Sequence, residues 1–178
     1  MQWRNTIEKY GVISKAFHWV VGVTIIGMIA FGFLMGGYEP PFKYELYDIH
    51  KSIGATLILL AVLRIIWRIR DVRVPLVAGL NKGQKLAAKG GHYTLYVLML
   101  AMPLSGWGMS SAGGHAVEVF GLFTLPALVE KDKAIGGFFH DAHEYLAWAL
   151  IVVISLHVLA ALYHHFIRKD ETLKRMVK

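Results

Sequence analysis

Four long apolar stretches alternate with short polar connections along the chain. The apolar runs cover roughly residues 14–35, 50–67, 92–111 and 143–167. Crossing the hydrocarbon core of a bilayer takes about 20 residues of α-helix, and each run is close to that length. The segments between them are rich in proline, glycine and charged residues, which interrupt helices or favour water. The pattern predicts four membrane-spanning helices.

The connections are too short to separate folding units, and the chain has no internal repeat or low-complexity tract. We therefore expect residues 1–178 to form a single domain, an all-α four-helix bundle in the membrane. The first apolar run is long for a signal peptide, and no small-residue cleavage site closes it. We expect it to be retained as the first helix.

The third connection, roughly residues 111–142, contains the apolar stretch "HAVEVFGLFTLPALV". Glu118, Gly121 and Pro126 interrupt it, so we do not expect it to span the membrane. Two interpretations stay open. The stretch either lies on the membrane surface as a short amphipathic element or forms an ordinary covering loop.

Composition supports a membrane protein and narrows its chemistry. Hydrophobic residues make up 56% of the chain, and the mean hydropathy is +0.48, above the usual range of soluble domains. The sequence has no cysteine. Disulfides, iron–sulfur clusters, CxxCH haem attachment and thiolate zinc sites are therefore excluded. Any metal has to be held by His, Met, Asp, Glu or Tyr.

The distribution of charge predicts the orientation of the helices. Fifteen of the 19 Lys and Arg residues lie in the two terminal tails and the connection between helices two and three. Basic residues concentrate on the cytoplasmic side of membrane proteins, so we expect both termini to be cytoplasmic. Eight of the 12 acidic residues lie on the opposite side. Membrane insertion explains this asymmetry, so the net charge of +7 does not indicate nucleic-acid binding.

Most of the nine histidines lie near the ends of the apolar runs or inside them. His143 and His157 are 14 residues apart, about four helical turns, so they share one face about 21 Å apart along the axis. His50 enters helix two from the outer side, and His18 enters helix one from the inner side. The four form two levels, His50 with His143 and His18 with His157. By depth alone, His164 is an alternative to His157.

Paired histidines on facing helices can hold a metal cofactor. Two neutral imidazoles on opposite sides of one iron are the ligands of a low-spin b-type haem, and helix bundles often carry such sites in their cores. Two haems stacked across a bilayer would conduct electrons. A single histidine within a span more often makes an interhelical hydrogen bond. His115 and His140, in the outer connection, are better explained as solvated residues. His92 begins helix three near the inner surface.

Two further features accompany the histidine levels. Arg64 follows His50 by 14 residues, so it lies on the same face of helix two near the inner level, with Arg68 one turn beyond. A buried arginine requires an anion, which a haem propionate would supply; alternatively, both arginines extend toward the membrane surface. Gly54, one turn after His50, would leave room for a porphyrin face or for close helix packing.

Sequence motifs then indicate a family. The segments "FHW", "IHKSIG", "GHYTLY", "HEYLAW" and "LHVLAALYHHFIRKDETLKRM" resemble the bacterial cytochrome b561 family over nearly the whole chain. The resemblance implies a four-helix, di-haem b protein of the inner membrane, related to the cytochrome b subunits of hydrogenases and formate dehydrogenases. By this likeness the axial ligands would be His18, His50, His143 and His157.

One branch of that family, the superoxide oxidases, takes electrons from superoxide outside and passes them to ubiquinone near the inner side. The likeness implies a quinone site near His92, His164 and His165 with neighbouring arginines. Superoxide is an anion, and the predicted outer segments carry an excess of acidic residues, which would not attract it. We therefore expect electron transfer between ubiquinone and a periplasmic donor, either superoxide or another reductant.

Two alternatives belong to other classes of protein. The chain could be a cytochrome b anchor subunit of a dehydrogenase, with the basic tail "IRKDETLKRMVK" as the docking segment. It could instead be a haem-free transporter whose histidines bind metal ions. Tetrahedral zinc usually takes more ligands per site than two, and no carboxylate lies in the middle of a predicted span.

Overall fold

Four long helices dominate the structure, a computed structural model that describes residues 2–178. They are α1 (Val12–Met35), α2 (Phe42–Arg70), α3 (Lys82–Ala112) and α4 (Lys133–Tyr163). A π-helical turn (His164–Arg168) extends α4, and the short helix α5 (Lys174–Val177) follows it. Each of the four long helices is long and apolar enough to cross a membrane. The predicted all-α membrane bundle is confirmed.

Three helices begin well before the apolar runs that predicted them. α2 begins at Phe42 rather than residue 50, α3 at Lys82 rather than 92, and α4 at Lys133 rather than 143. Asn81 caps α3 by accepting a hydrogen bond from the Gln84 amide at 2.8 Å. Asp132 caps α4 in the same way through the Ile135 amide. Apolar residues mark the part of a helix that lies in lipid, whereas capping residues mark its first turn.

The bundle has two distinct ends, named here by what lies at each. At the termini end lie both chain tails and the α2–α3 connection. At the hairpin end lie the α1–α2 connection and an antiparallel pair of strands, β1 (Val117–Val119) and β2 (Phe123–Leu125). The third connection thus contains a β-hairpin, which the sequence did not predict. In β1, two buried valines flank the exposed Glu118, so the short strand has one face toward the protein.

Ser52 of α2 attaches the hairpin to the bundle. Its side chain is buried, and its Oγ lies 2.8 Å from the Glu118 carbonyl and 3.0 Å from the Phe120 amide. Lys51 also reaches the hairpin connection, because its Nζ donates to the Ala116 carbonyl. Phe120 and Gly121 form the turn with positive φ values. The hairpin therefore covers the hairpin end of α2, next to His50.

The fully buried core of the bundle is small. Val21, Leu57, Ala61 and Met99 form one cluster where α1, α2 and α3 meet. Many large apolar side chains on all four helices are exposed on the outside of the bundle instead. A lipid bilayer is as apolar as these side chains, so the hydrophobic effect does not draw them inward.

Hydrogen bonds join the two tails to the helices at the termini end. The carboxylate of Asp71, just after α2, accepts from the Asn5 amide at 2.9 Å and from Arg4 Nε at 3.3 Å. The Trp19 indole on α1 donates to the Met176 carbonyl in α5. Arg175 donates to the Pro75 carbonyl of the α2–α3 connection. The C-terminal tail thus crosses from α4 to α1 over this end.

Candidate functional site

The hairpin-end pair consists of His50 on α2 and His143 on α4. Their ring centres are 6.3 Å apart, with the ring planes nearly perpendicular. Both rings border a cavity of about 790 Å³, a volume within the range of cofactor pockets. Apolar side chains and three glycines make up most of its wall, among them Ile25, Met28, Leu57, Met99, Leu150, Gly32, Gly54 and Gly106.

Polar contacts fix the orientation of His143. Its Nδ1 lies 3.2 Å from the Met102 carbonyl and 3.0 Å from Ser105 Oγ. A carbonyl oxygen only accepts, so Nδ1 carries the proton, and in the neutral ring the lone pair is on Nε2. The Ser105 hydroxyl donates to the same Met102 carbonyl at 2.7 Å, which leaves its oxygen free to accept from His143. Nε2 of His143 is thus prepared to bind a metal.

The termini-end pair consists of His18 on α1 and His157 on α4. Their ring centres are 6.0 Å apart. His92 on α3 adds a third ring, whose centre lies 5.5 Å from the ring centre of His157. His164, the alternative partner for His18 by depth, instead lies 2.6 Å from Asp170 Oδ2 through its Nδ1. The structure therefore places His157, and not His164, beside His18.

Arg64 reaches the termini-end pair from α2. Its Nη2 lies 3.1 Å from Nδ1 of His18. A guanidinium only donates, so in this contact Nδ1 of His18 accepts and the ring proton is on Nε2. The arginine also lies over the Tyr96 ring, with its central carbon 5.5 Å from the ring centre; Arg68 stacks on the same ring at 5.6 Å. Arg64 thus points into the bundle at the level of His18, whereas Arg68 is exposed and shares only the Tyr96 ring.

Comparison with known proteins identifies the family of this chain. The sequence profile described as prokaryotic cytochrome b561 matches residues 9–178. The chain belongs to this family. It is 39% identical to cytochrome b561 homolog 2 of Escherichia coli K12, over 99% of this chain and 95% of that protein. It is 31% identical to the probable superoxide oxidase CybB of Yersinia pestis, over 96% of each chain. Cytochrome b561 homolog 1 of Escherichia coli K12 shares 30% identity, over 96% of this chain and 98% of that protein.

Members of the prokaryotic cytochrome b561 family are electron-transfer proteins of the membrane that bind haem b. The hairpin-end cavity fits such a group in three respects. His143 presents a free Nε2 lone pair, as argued above. The ring of His50 borders the same cavity from α2, so it can present Nε2 to a metal there. A metal–imidazole bond is about 2 Å long, so a ring-centre separation of 6.3 Å leaves space for one metal atom between the rings.

The glycines that border this cavity have two different roles. A Cβ added at Gly54 would meet no atom within 4 Å, so this position leaves open volume one turn after His50. A Cβ at Gly106 would lie 3.0 Å from Cε1 of His143. A side chain at 106 would therefore push against the ring of His143, which would have to shift to make room. Gly54 instead keeps the cavity wide.

The termini-end pair fits a haem iron only after a local change. Ligation through Nε2 of His18 moves the ring proton to Nδ1, so Arg64 can no longer donate to that atom. The guanidinium would then be available to an anionic group such as a haem propionate. The predicted role of Arg64 and Arg68 as propionate partners is compatible with their stacking on Tyr96.

The residues of the predicted quinone site lie in different surroundings. His92 contacts His157 in the bundle, whereas His164 bonds to Asp170 in the π-helical turn. Nδ1 of His165 is buried without a hydrogen-bond partner. Burial raises the pKa of the Asp170 carboxyl, but hydrogen bonds from Thr172 and His164 outweigh this effect and hold that pKa below its ordinary value. Asp170 therefore stays ionised and fixes His164.

The remaining histidines lie at the hairpin end. His115 and His140 are exposed and border the mouth of the cavity. Within residues 2–178, the structure assembles no group of three or more His, Asp or Glu side chains suited to a metal ion.

One indole contacts the termini-end pair, and another borders the hairpin-end cavity. The Trp19 ring is perpendicular to that of His18, with centres 5.3 Å apart. Trp107 borders the hairpin-end cavity and donates its indole proton to the Pro126 carbonyl.

Sequence reasoning missed Ser105 and Met102, which orient His143, and the hairpin that lines part of the cavity. No motif marks Ser105. It follows Met102 by three residues on α3, so one hydroxyl can reach both a carbonyl of its own helix and a ring on α4. Only the packing of α3 against α4 reveals this contact.

Proposed function

We propose that this protein carries electrons across the bacterial inner membrane through two haem b groups. His50 and His143 are the axial ligands at the hairpin end, and His18 and His157 are those at the termini end. The hairpin end faces the periplasm and both termini face the cytoplasm, in line with the distribution of basic residues. Ubiquinone exchanges electrons at the termini end.

The observation that carries this proposal is the repeated pairing of histidines at two levels of one bundle. Both pairs have ring centres about 6 Å apart, and both use α4 with a different partner helix. A lone histidine in a membrane helix usually serves as a hydrogen-bonding group. Two facing pairs on one stripe of α4, with a cavity beside one of them, match a pair of six-coordinate iron sites.

The chain's own residues give each site its properties. The haem iron supplies reversible one-electron chemistry when the group is bound. Met102 and Ser105 hold the proton of His143 at Nδ1 and so direct Nε2 into the cavity. The hairpin, attached through Ser52, lines part of the cavity with Val117 and Leu125. The apolar wall keeps water out and lowers the local polarity.

At the termini end, polar side chains can serve a quinone. Full reduction of a quinone takes up two electrons and two protons, and a histidine near neutral pH is a suitable proton carrier. His92 lies beside His157, so a quinone oxygen near His92 would be close to the second haem. Arg64 and Arg68 add positive charge, which favours reduced, anionic forms of the ring.

Superoxide is the donor that one relative favours, because the similar protein of Yersinia pestis carries the name probable superoxide oxidase. The mouth of the cavity offers Lys51 as a cation, but its Nζ is paired with Asp48 at 2.6 Å. Glu144 borders the same cavity. A neutral reductant would meet less repulsion at this mouth, so both donors belong in the functional assay.

The haem content of the purified protein and of two matched variants tests the ligand assignment. We expect two b haems per chain in the wild type, one in His157→Ala and two in His164→Ala, measured from reduced-minus-oxidised spectra. His164→Ala is the control because it removes an imidazole seven residues further along α4. An unchanged haem content in His157→Ala, or loss of a haem in His164→Ala, would refute the assignment.

A second experiment tests the direction of the reaction. Oxidised protein in vesicles containing ubiquinone is given either superoxide or a neutral quinol at the hairpin end, and haem reduction is followed optically. We expect reduction by at least one of them, followed by reoxidation through ubiquinone. Protein with two haems that neither donor reduces would exclude this pair of donors.

A further inference from the structure

The polar groups around the two histidine pairs have opposite electrostatic effects. At the hairpin end, Nδ1 of His143 faces two oxygen acceptors, Met102 O and Ser105 Oγ. At the termini end, Nδ1 of His18 faces the guanidinium of Arg64. Acceptors and a cation act on a ligated imidazole in opposite directions. The inference that follows rests on the proposed function, because it requires both haem sites.

An acceptor on Nδ1–H strengthens an imidazole as a ligand. It draws the ring proton away and makes Nε2 more basic, which favours ferric over ferrous iron. The acceptor pair is buried, since Ser105 is 5% exposed. His50 adds no such contact, because its Nδ1 has no partner. The stabilisation of ferric iron at the hairpin end therefore comes from His143 alone.

A cation beside the other pair acts in the reverse sense. Reduction lowers the charge of the iron by one, so a nearby positive charge favours the ferrous state. The guanidinium of Arg64 lies in a bundle where burial weakens screening, and stacking on Tyr96 holds it there. This charge stays on the same turn of α2 even when His18 gains a proton on Nδ1.

We propose that Ser105 and Arg64 are positioning residues that grade the two haem potentials, with the hairpin-end site lower and the termini-end site higher. The grading makes electron transfer from hairpin end to termini end favourable. It also makes the reverse transfer, from a quinol at the termini end to a partner at the hairpin end, unfavourable by the same factor. The residue contacts, and not the histidine ligands themselves, then set the direction.

An optical redox titration of the purified holoprotein tests the Ser105 contribution. We expect two separate midpoint potentials in the wild type. His157→Ala, which should keep only the hairpin-end haem, identifies the lower one. Ser105→Ala should raise the lower potential and leave the higher one unchanged. Met102 O remains as an acceptor, so the effect is limited. We expect the equilibrium constant for reduction of the hairpin-end haem to rise by up to about tenfold, which is about 59 mV for one electron.

Two further variants separate this effect from a packing change. Ser105→Thr restores the hydroxyl and should return the lower potential toward the wild-type value. Ser111→Ala removes another buried hydroxyl from α3, one that accepts from the Leu128 amide and touches neither histidine pair. It should leave both potentials unchanged. Haem content equal to the wild type shows that each variant is folded.

The Arg64 contribution is tested in the same titration. Arg64→Gln should lower the midpoint potential of the termini-end haem, which is the higher of the two. The equilibrium constant for reduction of that haem should fall about tenfold, or about 59 mV, and the hairpin-end potential should not change. Arg64→Lys keeps the charge and should retain most of the wild-type value. Arg70→Gln, which removes an exposed charge at the end of α2, should shift neither potential.

The possible results distinguish a failure of the di-haem function from a failure of the grading of potentials. Fewer than two b haems in the wild type would overturn both the di-haem function and the grading. Two haems with equal potentials, or with the lower potential at the termini end, would overturn the grading alone. So would a Ser105→Ala variant that shifts neither potential or shifts both equally.

Discussion

Replacing Ser52 by alanine should release the β-hairpin from the bundle without unfolding the helices. The Ser52 hydroxyl accepts from the Phe120 amide at 3.0 Å and lies 2.8 Å from the Glu118 carbonyl. Its Oγ is also 2.8 Å from the Asp48 carbonyl of its own helix. One hydroxyl proton serves one carbonyl at a time, so the hairpin keeps at most two hydrogen bonds to this oxygen.

The size of the effect follows from those two bonds. A hydrogen bond contributes about 0.5–1.5 kcal/mol net to stability. Losing both would cost about 1–3 kcal/mol of docking free energy, which corresponds to a factor of roughly 5 to 150 in the docking equilibrium. The side chain is only 3% exposed, so water does not replace the lost partner while the hairpin stays docked.

Hydrogen exchange of the protein in detergent micelles measures this equilibrium directly. The amide of Phe120 should exchange faster in Ser52→Ala by the same factor of roughly 5 to 150, together with its neighbours in β1 and β2. Thr56→Ala is the matched control, because Thr56 Oγ1 donates only to the Ser52 carbonyl of the same helix at 2.9 Å. Unchanged exchange at Phe120 in Ser52→Ala would refute the view that this hydroxyl attaches the hairpin.

Two further predictions concern the histidine sites. Gly106→Val should remove the hairpin-end haem, because even a Cβ at this position would lie 3.0 Å from Cε1 of His143. The reduced-minus-oxidised spectrum should then show one haem fewer than in the wild type. Gly27→Val is the control and should keep both haems, because a Cβ at Gly27 meets no atom within 4 Å. The carboxylate of Asp170 has a lowered pKa, so the stability that it confers is fully present above the ordinary aspartate pKa of about 3.9 and is lost as pH falls toward the lower folded value. The difference in Tm between the wild type and Asp170→Asn should therefore be constant near neutral pH and shrink below about pH 4; a difference that does not change with acid would contradict this role of Asp170.

The spans could be predicted from the length of the apolar runs, and the histidine levels from helical periodicity. A 14-residue interval brings His143 and His157 onto one stripe of α4, whatever the neighbouring helices do. The partner of His18 was less certain, because depth counted from charged residues left His157 and His164 both open. The structure places His157 beside His18, while Asp170 holds His164 in the π-helical turn. No periodic pattern indicates such a turn.

Other features lay beyond sequence reasoning because they depend on contacts between distant segments. The hairpin at 117–125 has strands of only three residues each, too short for an alternating pattern to identify. Its attachment depends on Ser52, which is 68 residues away from Phe120. The contact between Ser105 and His143 also joins two helices across the bundle. A single serine in an apolar run gives no signal of such a role.

The perpendicular contact between Trp19 and His18 gives the protein a built-in optical probe. A haem held by the termini-end pair would take up the excitation energy of this indole and so quench its fluorescence. Transfer of this kind does not require contact, so a haem held by the hairpin-end pair would quench it as well. Haem binding to the bundle can therefore be followed from the fluorescence of Trp19 in a single-tryptophan variant, without any attached dye.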